Sequence, residues 1–331
     1  MRIIDVGEFG LIDRLRALLG EGTPAAGAVS LGIGDDAAVL AAGEGRELVA
    51  TADMLVEGVH FRRQWISAED LGWKSLAVNV SDVGAMGAAP LCALVCLALP
   101  GDAEAEWVEA LYRGLKACAE EYGCPVVGGD TVRSPGPVAL SVTALGSVAT
   151  GTAVRRDGAK PGDVLCVTGT LGDSAAGIAL INERVDTPPG SAGAALKARF
   201  YKPAPRVDAG LALRTLASAA IDVSDGLLAD LGHICERSGC GALIDVERVP
   251  LSAELLSTFP PQIALAHALG GGDDYELCFT APPSRAEQIE RALEGTGTPA
   301  TRVGQLVPGQ KVVCRRDGEP YEPPSSGFRH F

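Results

Sequence analysis

The sequence predicts an α/β protein built from two domains. Its 331 residues exceed the length of one typical domain, and a chain of this size commonly divides into two domains of about 150 residues. Hydrophobic residues make up 47% of the chain but aromatic residues only 5%, and the 42 glycines suit many tight turns between strands and helices. Short apolar runs typical of strands alternate with amphipathic runs of helical period.

The first half of the chain begins with a predicted helix at 7–20, where apolar residues recur every three or four positions before a glycine. Ser67 is the predicted N-cap of a long helix that ends at Ala85, and the apolar run at 91–99 predicts a buried strand. The other predicted elements of this half are strands at 28–33, 37–40, 48–52, 125–128 and 138–148 and a helix at 103–122.

The pattern changes near residue 150, where we place the boundary between domains 1–149 and 150–331. A turn rich in glycine and charge follows at 156–163, and 187–193 is predicted to be a loop. The predicted helices of this half lie at 173–183, 206–217, 226–237 and 284–293, and the predicted strands lie at 164–168 and near residues 219, 242, 275 and 302. The second half is therefore also α/β.

Charge and hydropathy exclude several classes of partner. The formal net charge of −14 would repel a phosphate backbone, so we expect no nucleic acid partner. The longest apolar run, 91–99, is about half of what a bilayer-spanning helix needs, and the first residues lack the pattern of a signal peptide. We therefore expect a cytosolic protein with no membrane partner. The nine cysteines contain no C-x-x-C pair and predict reduced core residues.

Aspartate beside glycine or a hydroxyl residue recurs at the ends of apolar segments. The five occurrences are Gly34-Asp35-Asp36, Thr51-Ala52-Asp53, Ser81-Asp82, Gly129-Asp130 and Asp222-Val223-Ser224-Asp225. Strand ends line the ligand crevice of α/β proteins, and hard carboxylate and hydroxyl oxygens suit Mg²⁺ bound together with phosphates. The pattern predicts a site for magnesium and a phosphate ligand. Any single aspartate could instead cap the helix that follows it.

The two common phosphate-binding motifs are absent from the sequence. Gly32-x-Gly34 begins like a dinucleotide fingerprint, but Asp35 and Asp36 stand where a pyrophosphate would need bare backbone N–H groups. The chain has neither a G-x-x-x-x-G-K-[S/T] loop nor an H-R-D catalytic loop. If ATP binds, another arrangement must hold it.

A series of ordered motifs supports a more specific interpretation. They include Leu31-Gly32-Ile33-Gly34-Asp35-Asp36-Ala37, Asp53-x-Leu55-Val56-x-Gly58-x-His60-Phe61, Lys74-x-Leu76-Ala77-Val78-Asn79-x-Ser81-Asp82, Gly128-Gly129-Asp130-Thr131, Arg156-x-Gly158-Ala159-Lys160-Pro161-Gly162-Asp163, Ile221-Asp222-x-Ser224-Asp225-Gly226 and Asp274-Tyr275-Glu276-Leu277. With these motifs the chain resembles, nearly end to end, the thiamine-monophosphate kinase family. The superfamily of that family includes aminoimidazole ribonucleotide synthetase.

The resemblance implies a fold and an activity. The fold would be a two-domain PurM-like architecture, in which the N-terminal sheets of two copies pair into a dimeric β-barrel and the C-terminal domain is α/β. Domain 1–149 would bind ATP and metal and form the homodimer. The activity would be ATP-dependent phosphorylation of thiamine monophosphate to thiamine diphosphate, by direct in-line transfer assisted by several Mg²⁺ ions.

The resemblance also implies roles for individual residues. The magnesium ligands would be Asp36, Thr51, the backbone of Ala52, Asp53, Asp82, Asp130, Asp222 and Asp225. Of these, the residues that act in catalysis through the metal, without a general base, would be Asp53, Asp82, Asp130 and Asp222. ATP would contact Gly129, Asp130, Arg156 and Ser224, and the thiamine phosphate would contact His60, Asp273 and Phe328.

Three positions depart from the family pattern. Ala52 stands where a hydroxyl residue is frequent, Asp273 where glutamate is usual, and Phe328 where tyrosine or tryptophan is frequent. His60 lies in a strand-like stretch and could equally be a core histidine. Other functions also stay open: another ATP-using enzyme similar to aminoimidazole ribonucleotide synthetase, a non-catalytic nucleotide or divalent-cation binding protein, and a metal-dependent phosphohydrolase.

Overall fold

A computed structural model of the chain describes residues 29–31, 35–43, 45–324 and 327. The predicted helix at 7–20 and Phe328 lie outside the described residues. The described strands form two mixed sheets, the first from residues 29–149 and the second from residues 164–321.

The first sheet orders its strands β1-β2-β3-β6-β4-β5 and is antiparallel except for the pair β4–β5. The strands are β1 (Val29–Leu31), β2 (Ala38–Ala41), β3 (Arg46–Val56), β4 (Ala89–Leu99), β5 (Val126–Arg133) and β6 (Ala139–Ala149). Two helices, α1 (Ala68–Ala85) and α2 (Ala105–Tyr122), cover one face of this sheet. The predicted N-cap is confirmed, since the Ser67 side chain accepts a hydrogen bond from the Asp70 N–H.

The two faces of the first sheet differ in exposure. Along β4, Val95 and Leu97 are buried against the helices, whereas Leu94 and Cys96, which alternate with them, are exposed. Strand residues alternate between faces, so one face of this sheet carries the core and the other stays open. We call the open one the outer face.

The second sheet orders its strands β13-β12-β9-β11-β7-β10-β8, with β9 and β12 parallel and the other pairs antiparallel. Its strands are β7 (Val164–Thr168), β8 (Ala219–Asp222), β9 (Gly241–Asp245), β10 (Leu277–Ala281), β11 (Ala300–Val307), β12 (Val312–Arg316) and β13 (Glu319–Tyr321). The helices of this half are α3 (Asp173–Asn182), α4 (Ala192–Tyr201), α5 (Val207–Leu213), α6 (Leu227–Ser238), α7 (Ala253–Thr258), α8 (Pro261–Gly270) and α9 (Ala286–Glu294).

Several elements of the second half differ from the prediction. Helix α4 begins inside the segment predicted to be a loop, and α7, α8, β12 and β13 were not predicted. Helix α8 is apolar on nearly every side, so it lacks the contrast between faces that marks a helix in a sequence. The strand predicted near Tyr275 begins later, at Leu277, because Tyr275 has a φ of 53°, which lies outside the β region.

Helix α1 connects the two sheets. It packs on β3 and β6 of the first sheet and also contacts β8 of the second. Fourteen of its eighteen residues are buried, so its polar residues face protein rather than solvent. The cleft between the sheets is therefore lined by this helix and by the strand ends on either side of it. Among the described helices, none combines the length and the apolar character that crossing a lipid bilayer requires.

Candidate metal and phosphate site

Three of the predicted aspartates meet in the cleft between the sheets. Carboxylate oxygens of Asp36, Asp82 and Asp222 lie within 4.8 Å of one another. Asp36 precedes β2, Asp82 lies on α1, and Asp222 is the last residue of β8. The cluster therefore takes carboxylates from both halves of the chain, and we call these three residues the aspartate cluster.

Hydroxyl groups hold the aspartate cluster in place. Thr51 Oγ1 donates to Asp82 Oδ2 over 2.7 Å, and Ser81 Oγ donates to Asp222 Oδ2 over 2.6 Å. The second bond joins the two halves of the chain. Ser81 was not predicted as a site residue, although three polar residues among apolar neighbours, Asn79, Ser81 and Asp82, are the signal that could have identified it.

Strand alternation explains which β3 residues reach the cluster. Thr51 and Asp53 point toward α1, where the Asp53 N–H donates to Asn79 Oδ1 over 3.0 Å. Ala52 is exposed on the outer face, and its backbone pairs with Thr143 of β6. The Ala52 backbone, through which a metal contact was predicted, therefore takes part in the pairing of β3 with β6. The metal contact stays a prediction.

Burial and mutual repulsion make these carboxylates hard to ionise. Burial first, and then the charge of Asp36, raise the pKa of Asp53 to about 6 and that of Asp222 to about 8. Burial, followed by the charge of Asp53, also raises the pKa of Asp82. Like charges this close favour a bound cation, because a cation removes the repulsion that otherwise favours protonation.

Arg156 forms a buried ion pair beside the cluster. Its Nη2 donates to Asp36 Oδ1, and its backbone N–H donates to Asp35 Oδ2 over 3.0 Å. Burial opposes the Arg156 charge, but the carboxylates of Asp36 and Asp35 raise its pKa above the ordinary value. In the part of the chain that the structure describes, Asp36 Oδ2 is buried without a hydrogen-bond partner. That oxygen is open to a further ligand.

The loop after β8 carries Ser224 and Asp225 and is shaped by a residue that was not predicted. Asp230 Oδ2 accepts hydrogen bonds from the backbone N–H groups of Ser224, Asp225 and Gly226 over 3.1, 3.1 and 3.0 Å. This loop follows directly after Asp222, so it borders the cluster. An aspartate four residues after Gly226, on the helix that follows, is the only local signal for this contact.

Within a single chain, Gly129 and Asp130 lie apart from the aspartate cluster. Asp130 is exposed on β5, opposite Cys96 of β4, and shares the outer face with it, whereas Asp53 points to the inner face. Gly129 has a φ of 150°, and a Cβ there would stand 1.8 Å from the Val95 carbonyl oxygen, so the position requires glycine. A pocket of about 340 Å³ is lined by Tyr112, Val126, Gly128, Gly129, Asp130 and Thr131.

Two of the three predicted substrate residues, His60 and Asp273, lie in loops. His60 lies in a turn after β3 rather than in a strand, and its Nδ1 accepts a hydrogen bond from the Val56 N–H over 3.0 Å. Asp273 precedes β10, where its Oδ2 lies 3.0 Å from Lys74 Nζ and its Oδ1 accepts from the Tyr275 hydroxyl over 3.0 Å. Phe328 lies outside the described residues, so its predicted role stays a prediction.

Comparison with known families matches both halves of the chain. The family described as "AIR synthase related protein, N-terminal domain" matches residues 34–148, and "AIR synthase related protein, C-terminal domain" matches residues 160–317. A curated relative, the thiamine-monophosphate kinase of Escherichia coli (strain K12), is 43% identical over 330 residues, which cover 98% of each chain.

Solved structures give the same result. The structure of AaThiL complexed with AMPPCP and TMP is 38% identical and superposes with a TM-score of 0.86 over 100% of this chain and 99% of that one. The thiamine-monophosphate kinase of Stenotrophomonas maltophilia K279a is 45% identical, with a TM-score of 0.79 over 95% and 98% of the two chains. The predicted two-domain PurM-like α/β fold is confirmed, and the chain belongs to the thiamine-monophosphate kinase family of the AIR synthase related proteins.

Proposed function

We propose that this protein transfers the γ-phosphoryl group of ATP to the phosphate of thiamine monophosphate, giving thiamine diphosphate. Membership of the family supports the reaction. The observation that carries the proposal is the aspartate cluster, in which three carboxylates from both halves of the chain meet in one cleft. Bringing two polyanions into line requires cations and precise positioning, and such a cluster can bind the cations at fixed positions.

The donor set fits Mg²⁺. Carboxylate and hydroxyl oxygens are hard ligands, and the unsatisfied Asp36 Oδ2 leaves an oxygen available for a cation. We propose that several Mg²⁺ ions are held by Asp36, Thr51, Asp53, Asp82, Asp222 and Asp225. Bound magnesium supplies positive charge to the phosphates during transfer. In the same proposal Arg156 and Ser224 contact ATP, and the guanidinium adds a fixed positive charge.

The chain needs no general base for this reaction. A phosphate monoester has a second pKa of about 6, so near neutral pH the acceptor is already a deprotonated nucleophile. The protein's own task is to hold the reacting groups in place. Thr51 and Ser81 do so by fixing the carboxylates of Asp82 and Asp222.

On the substrate side we propose contacts from His60, Asp273 and Phe328. Because His60 Nδ1 accepts a backbone hydrogen bond, the neutral ring carries its proton on Nε2 and can donate from there. Asp273 would face the cationic thiazolium ring, where a carboxylate is electrostatically favourable.

We also propose that two copies pair through the outer face of the first sheet. Met54, Leu94 and Val132 are 56%, 42% and 52% exposed, and large apolar side chains exposed together on one face are typical of an interaction surface. A second copy is the occupant that the family resemblance implies. The ATP contacts proposed for Gly129 and Asp130 would then lie beside this interface, because both residues belong to β5.

One assay tests the reaction. The purified protein is incubated with ATP, Mg²⁺ and thiamine monophosphate, and nucleotides and thiamine phosphates are separated by chromatography. We expect thiamine diphosphate and ADP in equal amounts. Release of free phosphate without thiamine diphosphate would instead indicate a phosphohydrolase, and nucleotide binding without turnover would indicate a binding protein.

The pairing of two copies has a separate test. Size-exclusion chromatography with light scattering should give twice the chain mass for the unaltered protein. Leu94→Asp places a charge on the outer face and should reduce the mass to that of one chain. A monomeric unaltered protein at micromolar concentration would refute the pairing.

A further inference from the structure

Lys74 is a buried cation on α1 that the proposed metal and ATP contacts do not use. Its side chain is 2% exposed, and its Nζ lies 3.0 Å from Asp273 Oδ2 and 3.7 Å from the centroid of the Phe200 ring. Burial lowers the pKa of Lys74, and the Asp273 carboxylate opposes that shift. A buried ammonium is costly unless it is paired.

The partner of Lys74 is held at both carboxylate oxygens. Lys74 lies at Oδ2 of Asp273, and the Tyr275 hydroxyl donates to Oδ1 over 3.0 Å. Both Asp273 and Tyr275 have positive φ, 67° and 53°. A bulky residue such as tyrosine rarely adopts this conformation, and such strain persists only where surrounding contacts enforce it. The ion pair and the hydroxyl bond are two of those contacts.

The strained segment is joined to the loop that borders the aspartate cluster. The Asp273 N–H donates to the Ser224 carbonyl oxygen over 2.8 Å, and the Tyr275 N–H donates to the Val223 carbonyl oxygen over 2.9 Å. Burial, followed by the charges of Asp273, Asp53 and Asp222, raises the pKa of the Tyr275 hydroxyl. The position of Asp273 is therefore coupled to the position of the loop that carries Ser224 and Asp225.

We propose that Lys74 is a positioning residue that reaches from α1 across the cleft to orient the Asp273 carboxylate toward thiamine monophosphate. The inference rests on the proposed function and deepens its substrate side. Lys74 at one carboxylate oxygen and the Tyr275 hydroxyl at the other fix the direction of Asp273, so the carboxylate presents a defined edge instead of rotating toward solvent. Loss of the ammonium would let the strained segment relax and would weaken the binding of thiamine monophosphate more than that of ATP.

Lys74→Met tests this, since methionine keeps the unbranched length but removes the charge. We expect KM for thiamine monophosphate to rise about tenfold, while KM for ATP stays within about twofold. Lys74→Arg, which keeps the charge, should recover part of the loss. Leu115→Ala is the control for destabilisation, because Leu115 is buried in the core between α2 and the first sheet. It should lower Tm and leave both KM values unchanged.

A second variant covers the case in which Lys74→Met does not fold. Tyr275→Phe removes only the hydroxyl that donates to Asp273 Oδ1 and should raise KM for thiamine monophosphate about threefold. Unchanged KM values in a folded Lys74→Met protein, or in Tyr275→Phe, would overturn the inference. Absence of thiamine diphosphate in the unaltered protein would instead overturn the proposed function. The rise in Tm with thiamine monophosphate alone, compared between the unaltered protein and Lys74→Met, then tests the inference without turnover.

Discussion

The aspartate cluster and the middle of β5 carry similar sequence motifs but lie in different environments. Asp222 is the last residue of an apolar strand and is 3% exposed, with its carboxylate facing two others. Asp130 follows Gly129 on an edge strand and is exposed on the outer face. The motif alone therefore does not determine whether an aspartate is isolated or clustered; the neighbouring elements do.

The hydrogen bonds of the two regions show the same difference. Ser81 reaches Asp222 across 141 residues of sequence, and Thr51 reaches Asp82 across 31. Asp130 Oδ1 accepts its hydrogen bond from the N–H of the next residue, Thr131. Long-range donors fix the cluster, whereas the backbone of the next residue orients Asp130. We therefore expect a substitution in the cluster to have a larger effect than one on β5.

The largest effect is expected for Asp222→Asn. Removing one carboxylate charge should lower kcat by about 10³-fold, because bound cations lose a ligand. The same change should raise the metal-free Tm, because it removes repulsion within the cluster. Coupled spectrophotometric assays and thermal melts with and without Mg²⁺ measure both. Asp102→Asn, at an exposed turn, is the matched control and should change neither. Retained kcat in Asp222→Asn would contradict a role in metal binding.

A smaller loss is expected for Asp230→Asn. The amide can no longer accept three backbone N–H groups with the strength of a carboxylate, so the loop of Ser224 and Asp225 should lose its shape. Substitutions that disturb the support of metal ligands typically cost about 10- to 100-fold in metal affinity or activity. The Mg²⁺ concentration for half-maximal rate should rise by that amount. An unchanged Mg²⁺ dependence would show that the loop does not depend on Asp230.

A still smaller effect on the rate is expected for Asp130→Asn. If Asp130 contacts ATP, the rate at low ATP should fall about tenfold, equivalent to about 1.4 kcal/mol. The metal-free Tm should not change, since the side chain is exposed and its hydrogen bond is local. A Tm rise like that of Asp222→Asn would instead place Asp130 within the buried set of charges and remove the contrast between the two regions.

The smallest effect is a dependence of stability on pH. The pKa values of Asp53 and Asp222, about 6 and about 8, lie above the ordinary value of 3.8. A carboxyl group raised in this way favours folding below its unfolded pKa and loses that contribution as the pH rises through its folded pKa. The metal-free Tm should therefore fall by on the order of 5 °C from about pH 5 to about pH 8.

Repeating the pH measurement with Mg²⁺ tests whether the carboxylates cause the fall in Tm. Saturating Mg²⁺ should reduce the slope of Tm against pH, since the ionised carboxylates then have a counter-charge. Asp222→Asn should reduce the slope without metal. A metal-free Tm that rises over the same pH range would mean that other groups dominate the dependence of stability on pH.

Much of the first half could be predicted because its signals are local. Ser67 is a helix cap, and the apolar run at 91–99 became a strand, Ala89–Leu99. Other elements left no local signal. Helix α8 lacks a polar face, and the contact of Asp230 with three N–H groups depends on how α6 follows its loop. His60 was predicted in a strand-like stretch but lies in a turn after β3, with its ring held by a backbone N–H.

By itself, the sequence determined the α/β class, the residue types of a magnesium and phosphate site, and the family. It could do so because strand and helix periods, strand-end aspartates and ordered motifs are properties of contiguous residues. Only the tertiary structure decided which aspartates meet. Asp36, Asp82 and Asp222 converge because α1 packs between two sheets, whereas Asp130 is placed on the outer face by the alternation of β5. The same packing brought Lys74 to Asp273, a pair separated by about two hundred residues, which no local pattern predicts.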